Sequence, residues 1–275
     1  MKSKRLIVAI LVNGALLIAG LLTAFPLLWM VSVSLMPANA SLEFPPPLLP
    51  ETISFEHYRK LFDEISLARN LLNSTMLAVA ITTISLVFNS IAGYSFAKLK
   101  FAGRDRIFQC LMAALVIPGQ VAMLPLFLLL KQFHFVNSYW GVIVPGMTSI
   151  FGIFLVRQYA LSIPDSLLDA ARIDGAGELR IWWSIALPLC RPILITLAIF
   201  TFLGCWSDFM WPLIILSDSN RYTLPIALAN LLGDHAQDTE LMMAGAVLTL
   251  MPALLLFLAL QRHYIRGLTL GGVKD

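Results

Sequence analysis

Long apolar runs dominate the chain, and short polar stretches separate them. A helix needs roughly 20 apolar residues to cross the ~30 Å hydrocarbon core of a bilayer. Six runs meet that length, at residues 6–35, 71–97, 107–130, 140–156, 192–216 and 241–260. Because helices satisfy their own backbone hydrogen bonds in lipid, the pattern predicts an all-α integral membrane protein with six transmembrane helices.

Composition and charge support this interpretation. With 59% hydrophobic and 13% charged residues and a mean hydropathy of +0.82, a soluble fold would have to hide more apolar surface than 275 residues can enclose. If Met1 is cytoplasmic, only five of the 19 Lys and Arg residues lie outside, namely Arg59, Lys60, Arg69, Lys131 and Arg221. The positive-inside rule therefore places both termini in the cytoplasm. The net charge of +3 then reflects topology, and we expect no nucleic-acid partner.

The first apolar run predicts an uncleaved helix. Basic residues precede it, and Ala38-Asn39-Ala40 resembles a signal-peptidase cleavage site. Signal sequences, however, have only ~7–15 apolar residues, whereas this run extends from residue 6 to residue 35. Residues 1–70 are therefore interpreted as this helix followed by an external segment, which is rich in Pro and then amphipathic. We expect that segment to lie along the outer membrane surface, as a cap over the bundle. Residues 71–262 are predicted to form one core, and 263–275 a cytoplasmic tail.

A polar stretch at residues 165–192 interrupts the apolar pattern. Ser162 and Asp165 have the spacing of a capping box, which predicts the start of a short helix. That helix should run to about Asp174, where Gly175 provides a left-handed stop. A second short helix, 178–186, should end before Pro188.

The first of these short helices has two interpretations from the residues alone. Ala170, Ala171, Gly175 and Ala176 make it thin and smooth, with charges at its flanks, as insertion into the cleft of a partner protein would require. Alternatively, it is an amphipathic helix that rests on lipid headgroups.

Several motifs carry a resemblance to a known family. The spacing D-A-A-x-x-D-G-A, with a Leu-Pro farther on, resembles the EAA loop of ATP-binding-cassette (ABC) importer permeases. Residues 73–105 and 117–145 resemble carbohydrate-uptake importers, and 241–275 resemble the second permease of maltose-type systems. Asp169 stands where Glu is usual, and Asp275 where Gly is usual.

The resemblance implies a type I ABC importer permease fold in a bacterial inner membrane. It implies a second, different permease, two ATPase subunits and an external substrate-binding protein as partners. The residues that would dock on the ATPase are Asp169, Ala170, Ala171, Asp174, Gly175 and Ala176. The tail would contact the ATPases through Gly271, Gly272 and Lys274, and the loop at 217–240 would reach toward the binding protein.

Asp208 is the one acidic residue inside a predicted span. Because a carboxylate in a membrane is costly, it is a candidate for function, either lining a sugar pathway or packing helices beside Trp206. Tyr94, Asn89, Phe209 and Trp211 are weaker candidates for sugar contacts, since interfacial aromatic residues are common anchors.

Other chemistry finds little support in the sequence. The three Cys and four His residues are scattered without metal-ligand spacing, so we expect no metal and no cofactor. The chain has no G-x-x-x-x-G-K-[ST] loop, so ATP would have to bind another polypeptide. A self-contained secondary carrier predicts a pseudo-repeat, and a membrane enzyme predicts a convergent catalytic constellation. Neither signature is visible, and the transported sugar stays open.

Overall fold

The computed structural model describes residues 2–63, 66–234 and 238–269. Within these residues the chain forms helices and no strand, as the apolar pattern predicts. The α-helices are α1 Lys2–Ser34, α2 Glu56–Asp63, α3 Leu67–Lys98, α4 Arg104–Ala114, α5 Gly119–Gln132, α6 Tyr139–Gly146, α7 Ile150–Ala160, α8 Asp165–Ile173, α9 Glu178–Ile181, α10 Leu187–Leu189, α11 Arg191–Trp206, α12 Met210–Ile215, α13 Leu224–Asp234 and α14 Thr239–Thr269. Short 3₁₀ turns occur at Ala40–Leu42 and Ser219–Arg221, and a π-helical turn at Trp182–Ala186.

Four helical stretches are long and apolar enough to cross a membrane: Val8–Ser34, Leu67–Lys98, Tyr139–Ala160 and Thr239–Ala259. Two further pairs meet the same test only together, because α4 and α5 bend by 105° and the helices on either side of Cys190 by 80°. The predicted count of six is reached if each bent pair forms one span.

Prolines lie at both bends. Pro118 is the N-cap of α5, and Pro192 lies in the first turn of α11. A proline has no backbone N–H and cannot extend the hydrogen-bond ladder of a preceding helix, so helices break near these points. The predicted span 192–216 is likewise interrupted, because α11 ends at Trp206 and α12 begins at Met210.

The chain forms two compact units. The first comprises Met1–Ala68 with Ala227–Pro252, and the second comprises Arg69–Ile226 with Ala253–Asp275. This division assigns residues 227–252 to the same unit as α1, whereas the sequence pattern grouped them with 71–262.

In the first unit, α1 is largely exposed, and no residue of its most apolar 18-residue stretch is buried. The buried side chains of this unit cluster instead at the end of α1, on α2 and at the start of α14, and include Val33, Met36, Leu61, Leu241 and Ala244.

The second unit contains two hydrophobic clusters. One surrounds Leu77, Ile143, Trp211 and Ile215. The other lies beneath the polar stretch and includes Tyr94, Ala160, Leu168, Ile181, Trp182 and Cys190. Close packing of α3 on α7 depends on Gly93, since a Cβ there would lie 2.7 Å from the side chain of Val156. The second cluster packs Leu168 of α8 and Ile181 of α9 against α3 and α7.

Candidate functional site

Helix α8 opens the polar stretch, but it begins differently from the prediction. Its N-cap is Pro164, with no side-chain capping bond, and Asp165 is its first residue. The Ser162 hydroxyl instead donates to the Tyr159 carbonyl at 2.7 Å, within the turn that ends α7. The expected capping box is therefore wrong, because this local bond competes for the hydroxyl.

The end of α8 is as predicted. Gly175 has a φ of +83°, the left-handed conformation that costs glycine little. The Ala176 N–H donates to the Ala171 carbonyl and the Gly175 N–H to the Arg172 carbonyl, both at 3.0 Å. These two bonds are those of a Schellman motif, which satisfies the last carbonyls of the helix.

The second short helix is longer than expected. It begins at Glu178 as α9, widens into the π-helical turn Trp182–Ala186, and continues as α10 to Leu189. The prediction that it ends before Pro188 is wrong. Proline normally clashes with the carbonyl four residues earlier, and the wider π turn immediately before Leu187 accommodates the ring.

An ionic brace joins α8, α9 and the end of α3. The Arg172 guanidinium donates from Nε to Glu178 Oε1 at 2.8 Å and from an Nη to Asp169 Oδ1 at 2.6 Å. Tyr94, near the end of α3, donates its hydroxyl to Glu178 Oε2 at 2.9 Å. The two carboxylates raise the pKa of Arg172, so the guanidinium stays charged. The Arg172–Glu178 pair therefore links the two sides of the Gly175 turn, and Tyr94 links this pair to α3.

A second tie holds the start of α8. Lys98 Nζ lies 2.7 Å from Asp165 Oδ1 and donates to the Ile163 carbonyl at 2.6 Å. The hydrogen bond from Lys98 lowers the pKa of Asp165. Both ends of α8 are thus attached to α3, the long helix that ends at Lys98.

The outer surface of this braced element is apolar at its two most prominent points. The side chain of Ile173 is 87% exposed and that of Leu179 is 73% exposed. They lie on either side of the Gly175 turn. Two large apolar side chains so exposed on one short polar element are available to contact a partner protein or lipid headgroups.

The six predicted docking residues divide into two groups. Asp169, Ala170, Asp174 and Gly175 are exposed, whereas Ala171 and Ala176 are partly buried against the cluster beneath. Of the small residues, Ala170 and Gly175 thus lie on the outer surface of the element, and Ala171 and Ala176 lie on its inner surface. In addition, the structure identifies Ile173, Leu179 and the brace residues, which the motif alone did not single out.

Asp208 and Trp206 lie apart from this element. Trp206 is 1% exposed and stacks on Phe202, with ring centroids 6.0 Å apart. Asp208 accepts from the Trp211 N–H at 3.4 Å and lines a cavity of about 270 Å³ with Cys205 and Thr223.

The weaker sugar candidates have structural contacts. Tyr94 belongs to the brace, and Asn89 is fully buried, accepting from the Thr148 hydroxyl at 2.9 Å and the Ser149 N–H at 3.0 Å. Trp211 donates its indole N–H to the Gly141 carbonyl at 3.0 Å.

Some predicted features lie outside the described residues. These are the tail residues Gly271, Gly272 and Lys274, and part of the 217–240 loop, at 235–237. Among the residues that are described, no group of three or more His, Cys, Asp or Glu side chains could hold a metal ion.

Similarity to known proteins extends over nearly the whole chain. It is 38% identical over 256 residues to the arabinooligosaccharides transport system permease protein AraQ of Halalkalibacterium halodurans, which covers 92% of each chain. It is 29% identical to the lactose transport system permease protein LacG of Rhizobium radiobacter, over 95% of this chain and 94% of that protein.

A solved structure has the same fold. It is the crystal structure of a bacterial ABC transporter involved in the import of the acidic polysaccharide alginate, with a TM-score of 0.83, 23% identity and coverage of 96% of this chain and 98% of that chain. The family model described as binding-protein-dependent transport system inner membrane component matches residues 89–270, well over half of the sequence. The chain therefore belongs to this family of inner membrane permeases and is a transport subunit with the ABC importer permease fold.

Proposed function

We propose that this permease imports an oligosaccharide and that the braced element, residues 165–179, is its docking site for an ATPase subunit. The observation that carries the docking proposal is the exposure of Ile173 and Leu179 on an element held rigid by Arg172, Glu178 and Tyr94. Preorganised apolar anchors are what a stable protein interface requires.

The substrate class rests on the named relatives. Arabinooligosaccharides and lactose are the substrates in the names of AraQ and LacG. We infer that this chain also takes an oligosaccharide or a related carbohydrate. Delivery by an external binding protein is in line with the family description, which is that of a binding-protein-dependent transport system.

The proposed subunit composition of the transporter rests on two features of the chain, the missing nucleotide-binding loop and the exposed docking element. It carries no nucleotide-binding loop, so ATP hydrolysis belongs to separate ATPase subunits. One docking element per permease fits a complex of this chain, a second and different permease, and two ATPases. The excess of basic residues near the element supports a cytoplasmic position for the element and for both termini.

The brace indicates how ATPase movement would reach the membrane. Tyr94 and Lys98 both lie near the end of α3, a helix of 32 residues, and both bind the docking element. A displacement of α8 would therefore pull directly on this span. The ATPase must bind the element differently in its two states, because equal binding would shift no equilibrium.

The test replaces the most exposed anchor. Ile173→Asp should abolish co-purification of the ATPase and uptake of an arabinooligosaccharide or lactose, because a charge would be desolvated at the contact. Ser162→Asp adds the same charge at an exposed position before α8 and should retain both properties. Normal ATPase binding by Ile173→Asp would refute the docking proposal. ATPase binding without uptake of either sugar in the unaltered complex would refute only the substrate class.

A further inference from the structure

We infer that residues 42–55 form an interfacial membrane anchor, which inserts apolar side chains among the lipid headgroups beside the end of α1. This segment belongs to the first compact unit. It plays no part in the docking element, and its ligand would be the bilayer itself.

The segment turns an unusual number of large apolar side chains outward. Phe44 is 98% exposed and Leu49 is 76% exposed. Four more residues within the same 14 are between 62% and 66% exposed, namely Leu42, Leu48, Ile53 and Phe55. Residues 44–50 carry no charge. In water such a surface is costly, so it requires an apolar environment.

Hydrogen bonds fix the depth of this surface. The Ser32 hydroxyl, in the last turn of α1, donates to the Leu48 carbonyl at 2.6 Å. The Ser54 N–H donates to the Leu35 carbonyl, directly after α1, at 2.8 Å. The middle of the segment and its far end are therefore both held at the level where the first span finishes.

The length of α1 places that level at the membrane surface. Its candidate span, Val8–Ser34, has 27 residues, or about 40 Å of helix at 1.5 Å per residue. That distance matches the total thickness of a bilayer with its headgroup regions. Ser32, and with it the Leu48 backbone, therefore lies among the headgroups.

The backbone that flanks the segment is buried in protein, whereas the apolar side chains of the segment itself are exposed. Ser34 and Met36 are fully buried, and His57, from α2, is 3% exposed. His57 Nε2 lies 3.1 Å from the Met36 carbonyl, and the Tyr58 hydroxyl 2.8 Å from that of Ser34. The chain is thus folded back on the end of α1, to which the Leu48 carbonyl and the Ser54 N–H are bonded. At the level of the headgroups water still reaches the other backbone groups, so the apolar side chains of an irregular segment can insert there without the cost that the hydrocarbon core would impose.

The experiment measures depth directly in the assembled transporter. Cys110, Cys190 and Cys205 are replaced by Ser, the variants Phe44→Cys and Leu49→Cys are labelled with the fluorophore NBD, and the complex is reconstituted in phosphatidylcholine and phosphatidylglycerol vesicles. Brominated lipid tests contact with the bilayer, and iodide tests contact with water. Asp63→Cys, an exposed charged position at the end of α2 and outside residues 42–55, is the control.

The anchor predicts blue-shifted emission at both apolar positions, loss of most of that emission in brominated vesicles, and protection from iodide. The label at position 63 should show the reverse. Iodide quenching at 44 and 49 equal to that at 63 would overturn the anchor. Protection from both quenchers would also overturn it, since the segment would then be covered by protein. Neither result depends on which substrate is imported.

Discussion

Each end of α3 contacts a polar region of the second unit, and the two regions are held by different kinds of contact. At its end, Tyr94 and Lys98 hold a charged element whose apolar tips, Ile173 and Leu179, face outward. Near its start, the Asn73 amide donates to the carbonyls of Asn220 and Tyr222, both at 3.0 Å.

The region near the start of α3 is closed on itself. The Asn137 side-chain oxygen accepts from the N–H groups of Ser217 and Asp218, both at 3.1 Å, and its own N–H donates to the Ile215 carbonyl at 2.7 Å. Here the bonds of Asn137, together with the contacts of Arg221 to the Asn137 carbonyl and Asp218, join loops to one another. The brace, in contrast, holds an element that still presents apolar side chains. We propose that the first region serves stability and the second serves association, so substitutions in the two regions should fail in different assays.

The largest effect is expected at the Gly175 turn. Gly175→Val would place a β-branched residue at a φ of +83°, at a cost of ~1–2 kcal/mol in strain, and would add bulk to the proposed contact. We expect loss of ATPase binding and transport with normal membrane insertion. Gly177→Val is the matched control, because Gly177 has a φ of −71° and, like Gly175, open space around a Cβ. Equal loss in both variants would mean that bulk, and not the backbone turn, is responsible.

The next effect concerns the closed region. Asn137→Ala removes two hydrogen bonds to backbone N–H groups and leaves alanine at a φ of 54°. Together these changes should lower the free energy of unfolding by about 2–4 kcal/mol, measured by thermal unfolding of the purified complex. Asn137→Gly loses the same bonds without the strain and should recover about 1 kcal/mol. ATPase binding should persist in both variants at low temperature, and its selective loss would contradict the division of roles.

A smaller effect is expected from Tyr94→Phe. It removes one hydrogen bond to the Glu178 carboxylate and should destabilise by about 1.5 kcal/mol, the lower range for a bond to a charged group. Combining it with Glu178→Ala, which removes the acceptor, in a double-mutant cycle isolates the pair. Coupling in both stability and ATPase binding supports the brace, whereas strict additivity would show that Tyr94 and Glu178 act independently.

The smallest effect is expected at Asp165. Lys98 lowers the pKa of this exposed carboxyl, so its contribution is present above the usual pKa of about 4 and is lost as the pH falls through the lower folded value. Asp165→Asn should therefore be slightly less stable than the unaltered chain at neutral pH, and the difference should disappear in strong acid. An increasing difference on acidification would contradict the assigned pair.

Local chemistry explains which parts of the site were predictable. Gly175 and the end of α8 follow from residues within one turn, and the structure places them as expected. The failed cap at Ser162 and the continuation through Pro188 depend on neighbouring turns, one in α7 and one π-helical. Short motifs do not contain that information.

The brace could not be predicted because its partners are distant in sequence. Tyr94 and Glu178 are 84 residues apart, and Arg172 reaches Glu178 across the Gly175 turn. The same holds for the bend of 105° near Pro118, where the predicted span 107–130 is continuous. The bend of 80° near Cys190 lies just before the predicted span 192–216 and was not predicted either. Periodicity reports which residues are apolar, and packing decides where the helix axis turns.

Photo-crosslinking tests the central claim most directly. A p-benzoylphenylalanine residue is placed at Ile173 in the complete transporter, and at Phe133, 60% exposed near the closed region, as a control. The docking proposal predicts a covalent adduct between position 173 and the ATPase subunit, and none from position 133. Adducts of position 173 with lipid alone, in every nucleotide state, would show that the element rests on the headgroups and would contradict the account.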